Sequence, residues 1–164
     1  MQLTRLGRDQ GLKIIKNIAR NRISENMALH ILNRTDGVPL FLEELTRTII
    51  ESGLKNNQNI PNTLQGSLLS RLDRLLSEAR ILVQFGSVIG REFGISLLTS
   101  VIGKSFEDIS DSIKQLLRSN LVVKSVGESE NETIIFRHAL IRDAAYQTQL
   151  YSRRRKLNKK LQLR

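Results

Sequence analysis

Residues 121–136 read Leu121-Val122-Val123-Lys124-Ser125-Val126-Gly127-Glu128-Ser129-Glu130-Asn131-Glu132-Thr133-Ile134-Ile135-Phe136, and they decide how the chain is parsed. Two runs rich in β-branched residues, 121–126 and 133–136, flank a polar segment containing glycine, so the stretch predicts a β-hairpin. Everything before it has helical periodicity. Ser105 can cap a helix bearing Ile109, Ile113, Leu116 and Leu117, with Asp108 three residues on as an imperfect capping box. A short helix over Ser96–Ile102 and another around Arg80–Val88 precede it, with Gly90 and Gly94 flanking Arg91-Glu92-Phe93. Leu64, Leu68, Leu72, Leu75 and Ala79, thickened by Leu69 and Leu76, predict one long amphipathic helix upstream.

Helices followed by one two-stranded wing are the order of a winged helix-turn-helix unit, here spanning 63–150. Helical signal resumes at His138 and runs to the end, with a break expected near Ser152, so 151–164 predict a basic C-terminal helix. The polar stretch 55–62 is the best linker. The first 54 residues predict a helical subdomain. Apolar Leu12, Ile15, Ile18 and Ala19 share one helix face, and Ser24 can cap a second helix carrying Met27, Ala28, Ile31 and Leu32. Asp36-Gly37 breaks that helix. Pro39 suits the first turn of a third, where its missing N–H would be unpaired anyway, and Gly53 suits its end. Leu3–Leu6 can form the tail of a strand, with Gly7 as a turn.

Composition narrows the classes of function. With 164 residues the chain suits one ordinary domain or two small ones, and at 40% hydrophobic and 4% aromatic its core is built from Leu, Ile, Val and Ala. No cysteine is present, which removes disulfides and thiolate chemistry and points to a cytoplasmic, reducing location. His30 and His138 stand far apart, and no metal-ligand spacing exists. No stretch approaches the roughly 18 apolar residues of a membrane span, and no secretory leader is visible. The net charge is +10, but residues 1–22 carry +5, residues 151–164 carry +7, and the 128 residues between carry −2. A groove-reading protein concentrates its basicity on the reading element, so nucleic-acid binding by the central domain is not expected.

Catalytic motifs fail on inspection. Gly103-Lys104-Ser105 imitates the end of a phosphate-binding loop, but the first glycine of such a loop would fall at position 98, which is Leu98. The bulky run Leu98–Ile102 cannot wrap its backbone around phosphates, so a turn with Ser105 as a cap is the favoured reading. Gly86, Gly90 and Gly94 form a small-residue ladder that Arg91 and Glu92 interrupt, which suits a helix end better than a membrane interface. Neither a Ser/His/Asp set nor a strand ending in paired carboxylates is legible.

Two further stretches carry a resemblance. Residues 34–45 read Arg-Thr-Asp-Gly-Val-Pro-Leu-Phe-Leu-Glu-Glu-Leu, and residues 136–146 read Phe-Arg-His-Ala-Leu-Ile-Arg-Asp-Ala-Ala-Tyr. Together with Thr4–Arg8, Ile60–Gln65 with Ser70–Leu75, and Val88–Phe93, they resemble the lid and winged-helix part of STAND-branch, AAA+-type signalling ATPases. The likeness is nearest to the ATPase regions fused to class III adenylate/guanylate cyclases and to related transcriptional activators. It covers essentially the whole chain. It implies a helical lid at 1–54, with the end of the ATPase core at 1–8, a linker at 55–62 and a winged helix at 63–150.

By that resemblance Gly37 and Pro39 would pack beside the adenine and ribose of ATP or ADP, and His138 would reach a phosphate of bound ADP. Each has a plainer alternative: Pro39 starts a helix, and His138 caps the next helix or packs at a seam. His30 is structural. The resemblance implies a non-catalytic regulatory piece that couples nucleotide state to an effector, either as a truncated reading frame or beside a separately encoded ATPase core. A cyclase or TPR-like helical effector would be its partner. The basic tail, with Tyr151, Leu157, Leu161 and Leu163 interleaved, can bind RNA, DNA or an acidic membrane, and equally reads as an amphipathic helix leading toward repeats, which the resemblance favours. The contrasting expectation is an autonomous winged-helix nucleic-acid binder.

Energetics argue against an independent nucleotide site. Charged hydrogen bonds contribute roughly 1.5–3 kcal/mol each, whereas micromolar affinity requires about 8 kcal/mol. A histidine and a Gly–Pro turn fall short of that, so no cofactor is expected for this chain alone, and no ATP hydrolysis.

Overall fold

A computed structural model describes residues 4–53, 60–125, 132–149 and 151–163, the side chains of 151–153 and 156 excepted. Among the described residues the chain is mainly helical, with nine helices and one small antiparallel sheet of three strands. It forms two compact units, 1–71 and 72–164.

In the first unit, α1 (Arg8–Ala19), α2 (Glu25–Thr35) and α3 (Pro39–Ser52) enclose Ile15, Met27, Ile31, Leu42, Leu45 and Ile49. Local chemistry sets the ends of these helices. The Ser24 hydroxyl accepts from the Met27 N–H at 3.2 Å, Pro39 stands at the first position of α3, and Gly53 ends it at φ +63°. Residues 4–7 form no strand, and Leu3 lies outside the described residues.

The linker expected at 55–62 needs correction at its end. Residues 55–59 lie outside the described residues, but Ile60 is buried in the first core, and its carbonyl accepts from Arg34 Nη1 at 2.9 Å. Ile60 is a bulky apolar residue in a polar run, and burying it recovers apolar surface from water.

The two helices expected over Leu64–Ala79 and around Arg80–Val88 are present as α4 (Leu64–Asp73) and α5 (Ser77–Ile89), but the break between them falls at residues 74–76, earlier than expected. Leu72, Leu75 and Ala79 keep helical spacing across the break, so periodicity could not mark it. Leu75 is buried, while Leu76 is 69% exposed rather than part of a core stripe.

In the second unit α5 is followed by β1 (Glu92–Gly94), α6 (Ile95–Ile102), α7 (Phe106–Arg118), β2 (Val122–Ser125), β3 (Thr133–Phe136), α8 (Ala139–Gln147) and α9 (Tyr151–Gln162). The hairpin turn expected at 127–132 falls largely outside the described residues. The sheet order is β1-β3-β2, with Phe93 opposite Ile134 and Val122 opposite Phe136. A two-stranded sheet was the expectation, and β1 is the addition. It is joined at its ends by Phe136 N–H to Arg91 C=O at 3.0 Å and Ile95 N–H to Glu132 C=O at 3.0 Å. Three residues are too few to show alternation, which is why the strand was not legible.

Phe93 packs against Phe136 with ring centroids 5.5 Å apart and a 54° tilt. Gly86 makes room for it, since a Cβ there would come within 2.5 Å of the Phe93 ring. Gly86 thus serves helix–strand contact, while Gly90 ends α5 as a helix-end glycine. The capping box forms: Ser105 N–H donates to Asp108 Oδ2 at 3.1 Å, and Asp108 N–H to Ser105 Oγ at 3.3 Å.

The break between the last helices falls at Thr148–Gln149, earlier than Ser152. Buried hydrogen bonds hold it there. Gln149 Nε2 donates to the Gln84 carbonyl at 2.8 Å and to Ser87 Oγ at 3.0 Å, and Gln84 Nε2 donates to Thr148 Oγ1 at 3.0 Å. Burying the Gln149 amide nitrogen without these acceptors would be costly, and the turn places it where both are in reach. No helix among the described residues is long and apolar enough to cross a membrane.

Candidate functional site: a cleft beside the Asp36-Gly37 turn

A concave site of the first unit forms where residues 4–8 return to the end of α2. Asp36 (φ +50°) and Gly37 (φ +69°) both take the left-handed conformation, and the Val38 N–H closes the turn on the Thr35 carbonyl at 3.0 Å. The Leu6 N–H donates to the Gly37 carbonyl at 2.8 Å, so two segments thirty residues apart in sequence lie side by side. Arg5 Nη1 meets Asp36 Oδ2 at 2.8 Å, both groups about 70% exposed, so this pair adds roughly 0–1 kcal/mol.

Together Arg5, Leu6, Arg8, Asn33, Asp36 and Gly37 line a cleft of about 480 Å³, with Leu29 and Leu32 as its apolar wall. Its chemistry is modest. Arg8 and Asn33 offer hydrogen bonds, the leucines offer a flat apolar surface, and one of the two guanidinium groups is already matched by a carboxylate. Such a lining can hold a planar, polar ring with a single negative group nearby.

Gly37 therefore lies in the cleft wall, but it also has a sufficient structural reason to be glycine. Its φ is left-handed, and a Cβ would come 2.7 Å from the Leu6 carbonyl oxygen. Pro39 begins α3 and is not among the lining residues, which is the plainer of its two readings.

His138 belongs to the second unit. It holds the N-cap position of α8, but only its backbone takes part, the carbonyl accepting from Ile141 N–H at 3.0 Å. His138 thus occupies the cap position that one of its plainer readings gives it, although the imidazole makes no capping bond. Its Nε2 is buried without a hydrogen-bond partner. That pattern fits a nitrogen reserved for a ligand, yet His30 Nε2 on α2 is in the same state, so the pattern alone does not single out His138.

The false phosphate loop resolves in favour of its plain reading. Gly103 ends α6 at φ +77°, Ser105 caps α7, and the Lys104 ammonium is bonded to Glu78. Lys104 and Ser112 together hold the Glu78 carboxyl below the usual carboxylate range. Among the described residues no group of three or more His, Asp or Glu could hold a metal ion.

The outer face of α7 was expected to be poor for reaching a phosphate backbone. Its Glu107, Asp108 and Asp111 are exposed, and Lys114 is paired with Asp111 at 3.0 Å. A feature that sequence reasoning missed is the buried ion pair of Arg71 with Glu44, linking α4 to α3.

The chain matches no protein-family model and no curated protein. The site is therefore read from its own residues.

Proposed function

We propose that this chain is the lid and winged-helix part of a STAND-type nucleotide switch, a regulatory element that is not itself catalytic. The observation that carries the reading is chain order. A helical unit of α1–α3 and most of α4 precedes a unit in which helices α5–α7 are followed by the hairpin β2–β3, and that order supports a lid followed by a winged helix, with β1 as an added third strand. In this reading residues 4–8 and the Asp36-Gly37 turn of the first unit are the candidate adenine contacts, with Pro39 stiffening the turn; in the second unit, considered by itself, His138 is the candidate phosphate donor by resemblance. The core that holds ATP or ADP, and the cyclase-like or TPR-like effector it controls, are supplied by other parts of the same protein or by partners in the cytoplasm. The contrasting winged-helix nucleic-acid reader is not favoured, because the outward face of α7 is predominantly acidic.

The test uses the chain itself. Calorimetry with Mg-ATP and Mg-ADP should give no binding of micromolar strength, and no phosphate release should accompany it. Backbone amide shifts at millimolar ADP should then change at residues 5–8 and 33–38. Micromolar affinity, turnover, or millimolar ADP leaving those amides unmoved would each overturn the proposal.

A further inference from the structure

Helix α9 lies on its own unit through an apolar stripe. Leu157 is buried with Val88 and Val101, and Leu161 packs against the same cluster. The rest of the helix is a concentration of cations, since residues 151–164 contain seven basic and no acidic side chains. Arg155 and Lys159 are exposed one turn apart, and the Arg154 guanidinium lies 4.9 Å from the centre of the Tyr146 ring. With Asn158 and Gln162 these residues line a cleft of about 400 Å³ that contains no carboxylate.

Some basic groups elsewhere in the chain have carboxylate partners, as in Arg5–Asp36, Arg80–Asp73 and Lys114–Asp111. Among the described residues, Arg155, Lys159 and Lys160 take part in no ion pair. Like charges one helical turn apart oppose helix formation, so the fold keeps an uncompensated positive surface at a cost.

We propose that this cleft binds the phosphodiester backbone of a single-stranded nucleic acid. The lining favours that occupant. Arginine and lysine meet phosphates, the amides of Asn158 and Gln162 meet sugar or base edges, and the stacked Arg154–Tyr146 pair offers a planar edge beside which a base can lie. An acidic peptide would use the cations and, through its backbone, the amides, but it offers no base to lie beside the stacked pair. An anionic membrane surface would meet the cations through headgroup charge, but it offers no base to lie beside the stacked pair, and Leu157 is not free to insert because it is buried in the protein. The inference is independent of the nucleotide-switch reading, because it concerns a different element and a polymer rather than a mononucleotide.

The experiment is fluorescence anisotropy of the full chain with labelled single strands, RNA and DNA, of about 12 nucleotides. Three phosphate contacts predict a log–log salt slope of about −2, so affinity should fall about 20-fold between 50 and 200 mM salt. Reversing Arg155→Glu with Lys159→Glu should weaken binding about tenfold or more, whereas the equal charge change Lys13→Glu with Lys16→Glu on α1 should leave it within about threefold. Equal losses from the two double variants would overturn the proposal. So would absence of salt-dependent binding, or tighter binding to duplex DNA, to poly-glutamate or to phosphatidylserine vesicles.

Discussion

Arg71 on α4 and Glu44 on α3 form an ion pair that is almost completely removed from solvent, each side chain 1% exposed. Glu51, one and a half to two turns along α3, adds a second contact to the Arg71 Nε at 3.4 Å. Two desolvated charges are tolerated only because each matches the other, so their loss is asymmetric. Arg71→Ala should destabilise the protein by about 3–5 kcal/mol in urea unfolding, whereas Glu44→Leu with Arg71→Met together should be close to neutral. A single-variant cost below about 1 kcal/mol would show that water reaches the pair.

Gly37 and Gly53 separate backbone strain from steric contact. Both have a left-handed φ, +69° and +63°, but only at Gly37 would a Cβ meet backbone, while at Gly53 nothing lies within 4 Å. Gly53→Ala should cost about 1 kcal/mol and Gly37→Ala clearly more, about 2–4 kcal/mol, because the left-handed penalty is joined by a clash with Leu6. Equal costs in parallel thermal melts would mean that residues 4–8 detach from the turn without loss.

At Gly86 helix propensity and packing oppose each other. Alanine in the middle of α5 would gain about 0.5–1 kcal/mol of propensity. The added methyl would stand 2.5 Å from the Phe93 ring, so Gly86→Ala should instead lose about 1–3 kcal/mol net. Adding Phe93→Leu should recover part of that loss, as a double-mutant cycle in denaturant would reveal.

Acid dependence should appear at the turn before α7. The Lys104 and Ser112 bonds lower the Glu78 carboxyl, and the Ser105 hydroxyl and amide lower that of Asp108. A depressed carboxyl contributes stability that is fully present above its unfolded value and disappears as pH falls through its folded value. Lys104→Met should therefore move the Glu78 titration up toward the ordinary range in carbon-detected NMR. The variant's stability deficit should be present at neutral pH and vanish below the carboxylate range. The Lys104 ammonium is raised by the same bond, so its contribution is lost only as pH climbs through that raised value. An unchanged Glu78 titration in the variant would contradict the pairing.

What was legible in the sequence were interactions that close within a turn or a hairpin. Ser24, Pro39, Gly53 and the Ser105–Asp108 box announced helix ends because a cap needs only its own neighbours. The runs at 121–126 and 133–136 announced strands through β-branched composition. At the cleft, Asp36-Gly37 was legible as the break that ends α2, but the segment facing it could not be named from spacing.

By itself, then, the sequence determined helix and strand identity, the position of most caps, and the concentration of charge at its two ends. The tertiary structure alone decided that Phe93 joins the sheet beneath Gly86, that Leu6 meets Gly37, that Ile60 is core rather than linker, and that Arg71 finds Glu44. The physical reason is range. Caps and periodic faces are set by residues a few positions apart, whereas strand addition, buried charge and close backbone approach depend on partners about 25 to 40 positions away that only the folded chain brings into contact.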